Sequence, residues 1–192
     1  DLTVVNVDPT ISANFLTPEI DEGGTARLQI EIDDASAEGR DTFDVYIDWG
    51  DGQGEVKETP TKIERGTRVF EHRYVDDDPT ATPADTYEVK VRVVDDDTGE
   101  ASTTASLKVK NVVPVAGIVG LGVTVVGFPV EMSGEQEDPG EADTFTYEWL
   151  VARASDGTVV ASAASKEMTF TPTDPGEYVV RLIVTDDDTG AS

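Results

Sequence analysis

The sequence predicts an all-β chain made of two β-sandwiches in tandem. Three observations lead there. Helical periodicity is nearly absent: short runs of Val, Ile, Leu, Phe and Tyr alternate with polar residues at period two, with Gly, Pro, Asp and Thr between the runs. Val91-Arg-Val-Val-Asp-Asp-Asp-Thr-Gly-Glu-Ala-Ser102 returns as Arg181-Leu-Ile-Val-Thr-Asp-Asp-Asp-Thr-Gly-Ala-Ser192, its Asp triplet starting at 95 and again at 186. Leu2-Thr-Val-Val-Asn-Val-Asp-Pro9 matches Leu107-Lys-Val-Lys-Asn-Val-Val-Pro114 at a constant offset of 105 (107 − 2). Tandem copies of one unit suggest a structural array more than a catalyst.

Taken in order, the first copy's strands are expected at Leu2–Val7, Ile11–Phe15, Ala26–Ile32, Thr42–Trp49, Glu55–Glu58, Arg68–Tyr74, Thr86–Val94 and Ala105–Lys110. The second copy's are expected at Ala116–Val119, Thr124–Met132, Phe145–Ala152, Val159–Ala163, Glu167–Thr171 and Glu177–Thr185. Asp51-Gly52 and Asp156-Gly157 are hairpin turns, since Gly takes φ > 0 and Asp tolerates it. Turn spacing of this kind fits two-sheet sandwiches. Residues 112–130 carry no charge and are long enough to raise a transmembrane helix. Pro114 and Pro129 bracket the run and four glycines interrupt it, so two short buried strands around a Gly-rich turn are expected instead.

The two copies meet at a repeated joint. Each Asn-Val-X-Pro segment reads as the last strand of one module running into the first strand of the next, with proline stiffening the passage. The domain reading is therefore residues 1–8 as the closing strand of a preceding or neighbouring module, 9–111 as sandwich one, and 112–192 as sandwich two without its own closing strand. Two explanations fit this pattern. The chain is a window of a longer tandem array, or it is a fibre subunit whose residues 1–7 complete the sheet of a neighbouring copy by β-strand addition.

Charge restricts the partners. Forty Asp and Glu against fourteen Lys and Arg give a net charge of −26, which repels nucleic acid and anionic membranes and attracts cations. A solubilising surface suited to a salty medium is the plainer account of the same number. With no cysteine, a disulfide scaffold and thiol chemistry are excluded.

Several motifs resemble the PKD (polycystic kidney disease) domain family. Asp48-Trp-Gly-Asp-Gly52 is similar to a shortened form of its Trp-x-Phe-Gly-Asp-Gly motif. Phe70-Glu-His-Arg-Tyr74 is similar to its His-x-Tyr segment, and Tyr87-Glu-Val-Lys-Val-Arg-Val-Val-Asp-Asp96 to its long Tyr-x-Val-x-Leu-x-Val-x-Asp strand. The resemblance covers about 9–110. The second copy keeps Trp149 and the strand Tyr178–Asp186 but lacks the Gly-Asp-Gly and His-x-Tyr pieces, which makes it a divergent member or a related immunoglobulin-like domain. The resemblance implies immunoglobulin-like sandwiches, an extracellular or cell-surface location and no catalytic activity.

The candidate chemistry lies in carboxylate-rich loops. In a sandwich of this type the loop after the second strand and the loop before the last strand share one end. That grouping offers Asp33, Asp34, Asp41, Asp95 and Asp97 in copy one, and Glu137, Asp138, Asp143, Asp186 and Asp188 in copy two, as ligands for Ca²⁺. Ca²⁺ fits because it takes six to eight oxygens in flexible geometry; a solvated acidic turn is the alternative. Glu19, Asp21, Glu22 and Asp76-Asp-Asp78 make a second acidic end in copy one, where a cation would stiffen a head-to-tail junction. Trp49 and Trp149 are expected in the cores, and the single histidine, His72, in a packing role beside Tyr74.

The expected function is a non-enzymatic extracellular structural module of a surface fibre, stalk or giant adhesin, partnered by copies of itself or adjacent repeats, with no membrane insertion. A carbohydrate- or protein-binding accessory module of a secreted hydrolase is the rival. It requires an exposed aromatic platform, for which Tyr46 and Tyr147 are the candidates. No nucleophile–base pair, phosphate loop or His/Cys metal set points to an enzyme.

Overall fold

A computed structural model describes residues 1–3, 5–35 and 40–192; Val4 and residues 36–39, including Glu38 of the first acidic loop, lie outside the description. The described residues are all-β, with fourteen strands in two compact units. Unit 1 comprises 1–79 and 84–110, and unit 2 comprises 80–83 and 111–192. Residues 1–8 thus group with unit 1, and the boundary falls just before Asn111.

Unit 1 holds β1 (Thr10–Phe15), β2 (Glu19–Asp21), β3 (Thr25–Asp33), β4 (Phe43–Asp48), β5 (Glu55–Lys57), β6 (Gly66–Arg73), β7 (Ala84–Asp95) and β8 (Glu100–Lys110). One sheet runs β1-β3-β6 and the other β2-β8-β7-β4-β5, antiparallel except for the parallel β2–β8 pair. Alternation explains the layering. Ala26, Leu28, Ile30 and Ile32 are buried on β3 while their neighbours face solvent. Leu28, Ile30 and Ile32 meet Phe43, Val45 and Ile47 of β4 and Val89, Val91 and Val93 of β7 across the sandwich. Each such side chain contributes about 1.5–3 kcal/mol by leaving water. A second cluster, Ala26, Tyr74, Tyr87, Leu107 and Val109, closes one end and depends on β8 for two of its members.

Unit 2 holds β9 (Val115–Val119), β10 (Val130–Glu137), β11 (Thr146–Arg153), β12 (Val159–Ala163), β13 (Glu167–Phe170) and β14 (Tyr178–Thr185). Its sheets run β13-β10-β9 and β12-β11-β14. Trp149 and Val151 of β11 and Val184 of β14 are fully buried, with Met132, Met168 and Leu182 around them. The ladders match β9, β10, β13, β11, β12 and β14 to β1, β3, β6, β4, β5 and β7 in turn. Among the described residues, β2 and β8 have no counterpart strand in unit 2. Among the described residues, the outer edge of β14 carries the Thr185–Ala191 bridge and bonds to Ser192: the Ser192 N–H donates to the Val184 carbonyl at 3.0 Å and the Val184 N–H to the Ser192 hydroxyl at 3.2 Å.

Four departures from the sequence reading have local causes. The Leu2–Val7 segment is not strand in this chain at any described residue; Leu2 is 90% exposed and Val5 74%. None of its described residues joins a ladder of either sheet of unit 1. β8 starts at Glu100, five residues before the expected Ala105, because β7 offers a full-length ladder that recruits the small polar Glu100–Thr104 stretch. Strand β2 is an addition: its three residues are held by parallel pairing to β8 rather than by their own pattern. The strand expected at 124–132 begins only at Val130, since Gly127 at φ 84° makes a turn, and it continues to Glu137, which moves that residue from the acidic loop onto a strand.

Candidate functional site

Each Asp-Asp-Asp-Thr-Gly turn is closed by the same clasp. In unit 1 the Asp95 N–H donates to the Gly99 carbonyl at 3.0 Å, and the Asp95 Oδ1 accepts the N–H groups of Gly99 at 2.7 Å and Asp97 at 2.9 Å. Its Oδ2 accepts the Asn6 side-chain amide at 2.8 Å. In unit 2 the Asp186 N–H donates to the Gly190 carbonyl at 3.1 Å; the Asp186 Oδ1 accepts the Gly190 N–H at 2.6 Å and Oδ2 the Asn111 amide at 3.1 Å. The asparagine of each Asn-Val-X-Pro joint therefore anchors the start of its module to that module's own acidic turn. Three charge-assisted donors to Asp95 and two to Asp186 explain how both remain 5% exposed.

The second Asp of each triplet does a different job. The Asp96 Oδ1 accepts the Thr42 N–H at 3.2 Å, and the Asp187 Oδ1 accepts the Thr144 N–H at 2.8 Å. Both hydrogen bonds are exposed and tie the loop before β4 or β11 to the turn, so the two loops do converge as their spacing implied. Thr98 and Thr189 adopt left-handed backbone, φ 77° and 73°, a conformation costly for a β-branched residue. Glycine follows for lack of space: a Cβ on Gly99 would stand 2.4 Å from the Asp95 Oδ2, and on Gly190 2.3 Å from the Asp186 Oδ2.

The remaining sequence candidates separate by unit. In unit 1 the Asp33 Oδ1 accepts the Asp34 N–H at 2.9 Å, the Asp34 carbonyl accepts Arg65 Nη1 at 3.0 Å, Asp41 is half-buried and Asp97 exposed. Among the described residues no three of Asp33, Asp34, Asp41, Asp95 and Asp97 bring carboxylate oxygens within 4.8 Å of one another. In unit 2, Glu137 is exposed on β10, whereas the Asp143 carboxylate lies within 4.8 Å of Asp138 and also of Asp188. The Asp138 Oδ1 accepts the Gly140 N–H at 2.8 Å. Burial, with the Asp186 charge adding, raises the Asp138 carboxyl above its ordinary value against that hydrogen bond.

Unit 1 assembles a carboxylate group at its other acidic end. Glu22, Asp76 and Asp77 are 2%, 8% and 0% exposed and place oxygens within 4.8 Å of one another. Glu22 follows β2, its N–H donating to the Lys110 carbonyl at 2.9 Å. Asp76 and Asp77 lie between β6 and β7, where the Asp77 N–H donates to the Asp76 Oδ1 at 2.7 Å and the Tyr87 hydroxyl to the Asp76 carbonyl at 3.1 Å. Burial, followed by the charges of Asp78 and Asp76, pushes the Tyr87 phenol well above its ordinary value. The sequence showed this acidic end but not which of its six carboxylates would face inward. The available signal was the Tyr74/Tyr87 pair, which packs beneath Asp76 and makes that loop part of the core's edge.

The aromatic residues singled out by the sequence are engaged in contacts with their neighbours. Trp49 and Trp149 are 5% and 0% exposed. His72 stacks on Trp49 at 4.8 Å and its Nε2 lies 2.9 Å from the Asp51 Oδ2, while the Tyr74 hydroxyl donates to the Trp49 carbonyl at 2.8 Å. Tyr46 is covered by the Arg92 guanidinium, 4.3 Å from the ring centre. The Tyr147 hydroxyl is 2.8 Å from the Gln136 Oε1. No described helix is long and apolar enough to cross a membrane.

Among known protein families, residues 111–192 match the family model of the PKD domain. The match falls on the copy with fewer of the quoted motifs. No curated protein sequence matches the chain. Among solved structures it is similar to the Yersinia pseudotuberculosis adhesin InvE, at 11% identity and TM-score 0.41, covering 95% of this chain and 56% of the adhesin. It is also similar to a carbohydrate-binding module from the β-sandwich superfamily (14%, TM-score 0.42, covering 93% of this chain and 85% of that one). The FN1–FN3 domains of chicken CNTN1 match at 16% and TM-score 0.29, over 97% of this chain and 64% of that one. The chain spans just over half of the adhesin's length. At these scores the fold assignment rests on the sheets described above.

Proposed function

We propose that the chain is a non-enzymatic extracellular structural module, part of a surface fibre, stalk or adhesin built from repeats of this kind. The observation that carries the reading is the duplicated clasp. The same Asn, Asp and Gly positions fasten the first segment of both units, so the repeated feature is a joint and not a cleft. Mechanical stiffness follows from antiparallel ladders and from Pro9 and Pro114, each just ahead of the first strand of its unit. The PKD-domain match and the all-β architecture support an extracellular setting.

Ca²⁺ belongs to this reading as a stiffening ion. Two oxygens facing each other across Ca²⁺ at roughly 2.4 Å are about 4.8 Å apart, the spacing within which Glu22, Asp76 and Asp77 meet, and Asp143 meets Asp138 and Asp188. These groups would supply hard carboxylate oxygens, and the ion would relieve their mutual repulsion. Calorimetric titration tests it: heat of binding and a higher melting temperature in millimolar Ca²⁺ are expected, and neither appearing would refute the cation role. Copies of the chain or adjacent repeats are the proposed partners, met through residues 1–7. The accessory-module reading has weaker support, since Tyr46 lies under Arg92 and offers no bare platform; glycan-array binding lost on Tyr46→Ala would revive it.

A further inference from the structure

We propose that strand β12 of unit 2 is an edge through which two copies of this chain join, β12 of one copy pairing antiparallel with β12 of the other about a twofold axis at Ala161. This contact is separate from residues 1–7, through which the proposed function has copies meet, and it lies in the interior of the sequence.

Among the described residues β12 pairs with β11 alone and forms the edge of the sheet β12-β11-β14. An open strand edge is a template for another chain, and folds ordinarily blunt it by shortness, by charge or by a bulge. Unit 1 does so at the matching strand. β5 has three residues, Glu55-Val-Lys57, its glutamate held by Arg92 at 2.7 Å and its lysine by Asp44 at 2.7 Å. β12 is longer, with five residues, and bare of charge: it reads Val159-Val-Ala-Ser-Ala163, with Val159 56% and Val160 37% exposed. A bulge skips Val160 in the register with β11, yet Ala161, Ser162 and Ala163 stay in step with Val151, Leu150 and Trp149. The regular stretch is the part a second strand can extend.

Charge identifies the partner. At a net charge of −26, two copies of the chain repel each other over most of their surface. From Gly157 to Ser165 there is no charged residue, and the run is bounded by an acid, Asp156, and a base, Lys166, both exposed. When two identical strands pair antiparallel about a twofold axis, positions equidistant from the axis face each other. Asp156 stands five positions before Ala161 and Lys166 five after it. Continuing the register past the strand ends therefore sets Asp156 of each copy opposite Lys166 of the other. Between these ends Val159 meets Ala163 and Val160 meets Ser162, all uncharged. An axis moved one residue, to Val160 or Ser162, would put Lys166 opposite Ala154 or Thr158 and lose both ion pairs. A foreign strand would have to bring the same two charges at the same spacing; a second copy already carries them.

Single cysteines test the register in a chain that has none. Ala161→Cys should form a covalent homodimer under mild oxidation, because residues directly opposed across an antiparallel pair place Cβ atoms within disulfide reach. Ala163→Cys, on the same face of the same strand, should not, since its counterpart is Val159. Sedimentation of the wild-type chain should show a dimer that grows with concentration and weakens at least about tenfold in Val160→Lys, which sets a charge on the edge. The ion pairs have their own test. Asp156→Lys and Lys166→Asp should each weaken association about tenfold, and the two variants mixed should recover it, because attraction at both ends returns in the mixed dimer. Leu2→Asp should leave this association unchanged. Monomers at every concentration up to about 1 mM, a cross-link at Ala163→Cys as strong as at Ala161→Cys, no recovery in the mixture, or loss of association in Leu2→Asp would each overturn the proposal.

Discussion

Replacing Gly190 by alanine tests the clasp most severely. The new Cβ would stand 2.3 Å from the Asp186 Oδ2, 3.0 Å from the Asn111 Nδ2 and 3.1 Å from the Asp186 Cγ. Neither partner can retreat freely. Asp186 is 5% exposed and also receives the Gly190 N–H at 2.6 Å, while Asn111 opens the segment that leads into β9. Displacing the carboxylate breaks two charge-assisted hydrogen bonds of about 1.5–3 kcal/mol each and leaves a buried charge short of donors. The expected cost is therefore about 3–5 kcal/mol, a large share of the stability of a domain this size. Each unit contains one tryptophan, Trp49 or Trp149, so urea unfolding followed by fluorescence in a Trp49→Phe background reports unit 2 alone. With m near about 1 kcal/mol/M the midpoint should fall by roughly 3 M or the unit should be unfolded outright. Gly157→Ala is the control: φ is 73° but nothing lies within 4 Å, so only backbone strain of about 1 kcal/mol is expected. A Gly190→Ala protein no less stable than that control would refute the steric reasoning and with it the structural role given to the clasp.

Further expectations are testable on the same assay. Thr98→Gly and Thr189→Gly should each stabilise their unit by about 0.5–1 kcal/mol, because glycine accepts the left-handed backbone that threonine adopts there; lower melting temperatures would reveal a role for the hydroxyl. Asn111→Ala should cost unit 2 less than Gly190→Ala, about 1–2 kcal/mol, and Asn6→Ala should do the same to unit 1. The Lys57 ammonium, 2.7 Å away, followed by the Lys62 N–H, holds the Asp44 carboxyl below its ordinary value of 3.8. A lowered folded-state value gives stability that is present above the ordinary value and lost as pH falls through the lowered one. Asp44→Asn should therefore destabilise unit 1 slightly at neutral pH and not at all at the acid end of the titration; an equal effect at both ends would contradict the ion pair's contribution. Glu22→Gln with Asp77→Asn should remove Ca²⁺-dependent stabilisation from unit 1 while leaving that of unit 2; unchanged Ca²⁺ response in both would place the ion elsewhere.

What the sequence made legible follows from how each feature is encoded. The alternation of β3 and β7 is written in consecutive residues, so these strands appear close to their expected bounds. The Asp triplets were equally visible, and so was the convergence of their loops. Their chemistry was not, because Asp95 and Asp186 spend both oxygens on N–H donors, one of them from an asparagine 89 or 75 positions earlier in the chain. An acidic run reads as a charge, while its hydrogen-bond partners depend on tertiary distance. The same limit governs β2, a three-residue strand created by its neighbour β8, and the inward turn of Glu22, Asp76 and Asp77. A hint was nonetheless present: the asparagine at the joint repeats at the same offset as the apolar residues around it, and a repeated polar residue inside an otherwise apolar motif needs a partner.

The division of labour within the acidic loops bears on the net charge of −26. A carboxylate that accepts two N–H donors is stable without a cation, so Asp95 and Asp186 fasten the modules in any ionic medium. Carboxylates within 4.8 Å of one another, such as Asp138 with Asp143, are the groups to which the proposed reading assigns a divalent ion. Under the proposed cation role, each unit would contain both a permanent fastening and a conditional one. Chelation should then loosen the units without separating β1 or β9 from the clasp. Hydrogen exchange distinguishes the two: with EDTA, protection should fall in the 138–144 loop and in the loop at 75–78, while the Gly99 and Gly190 amides keep theirs. Loss of protection at Gly99 and Gly190 on chelation would mean that the clasp itself depends on the ion.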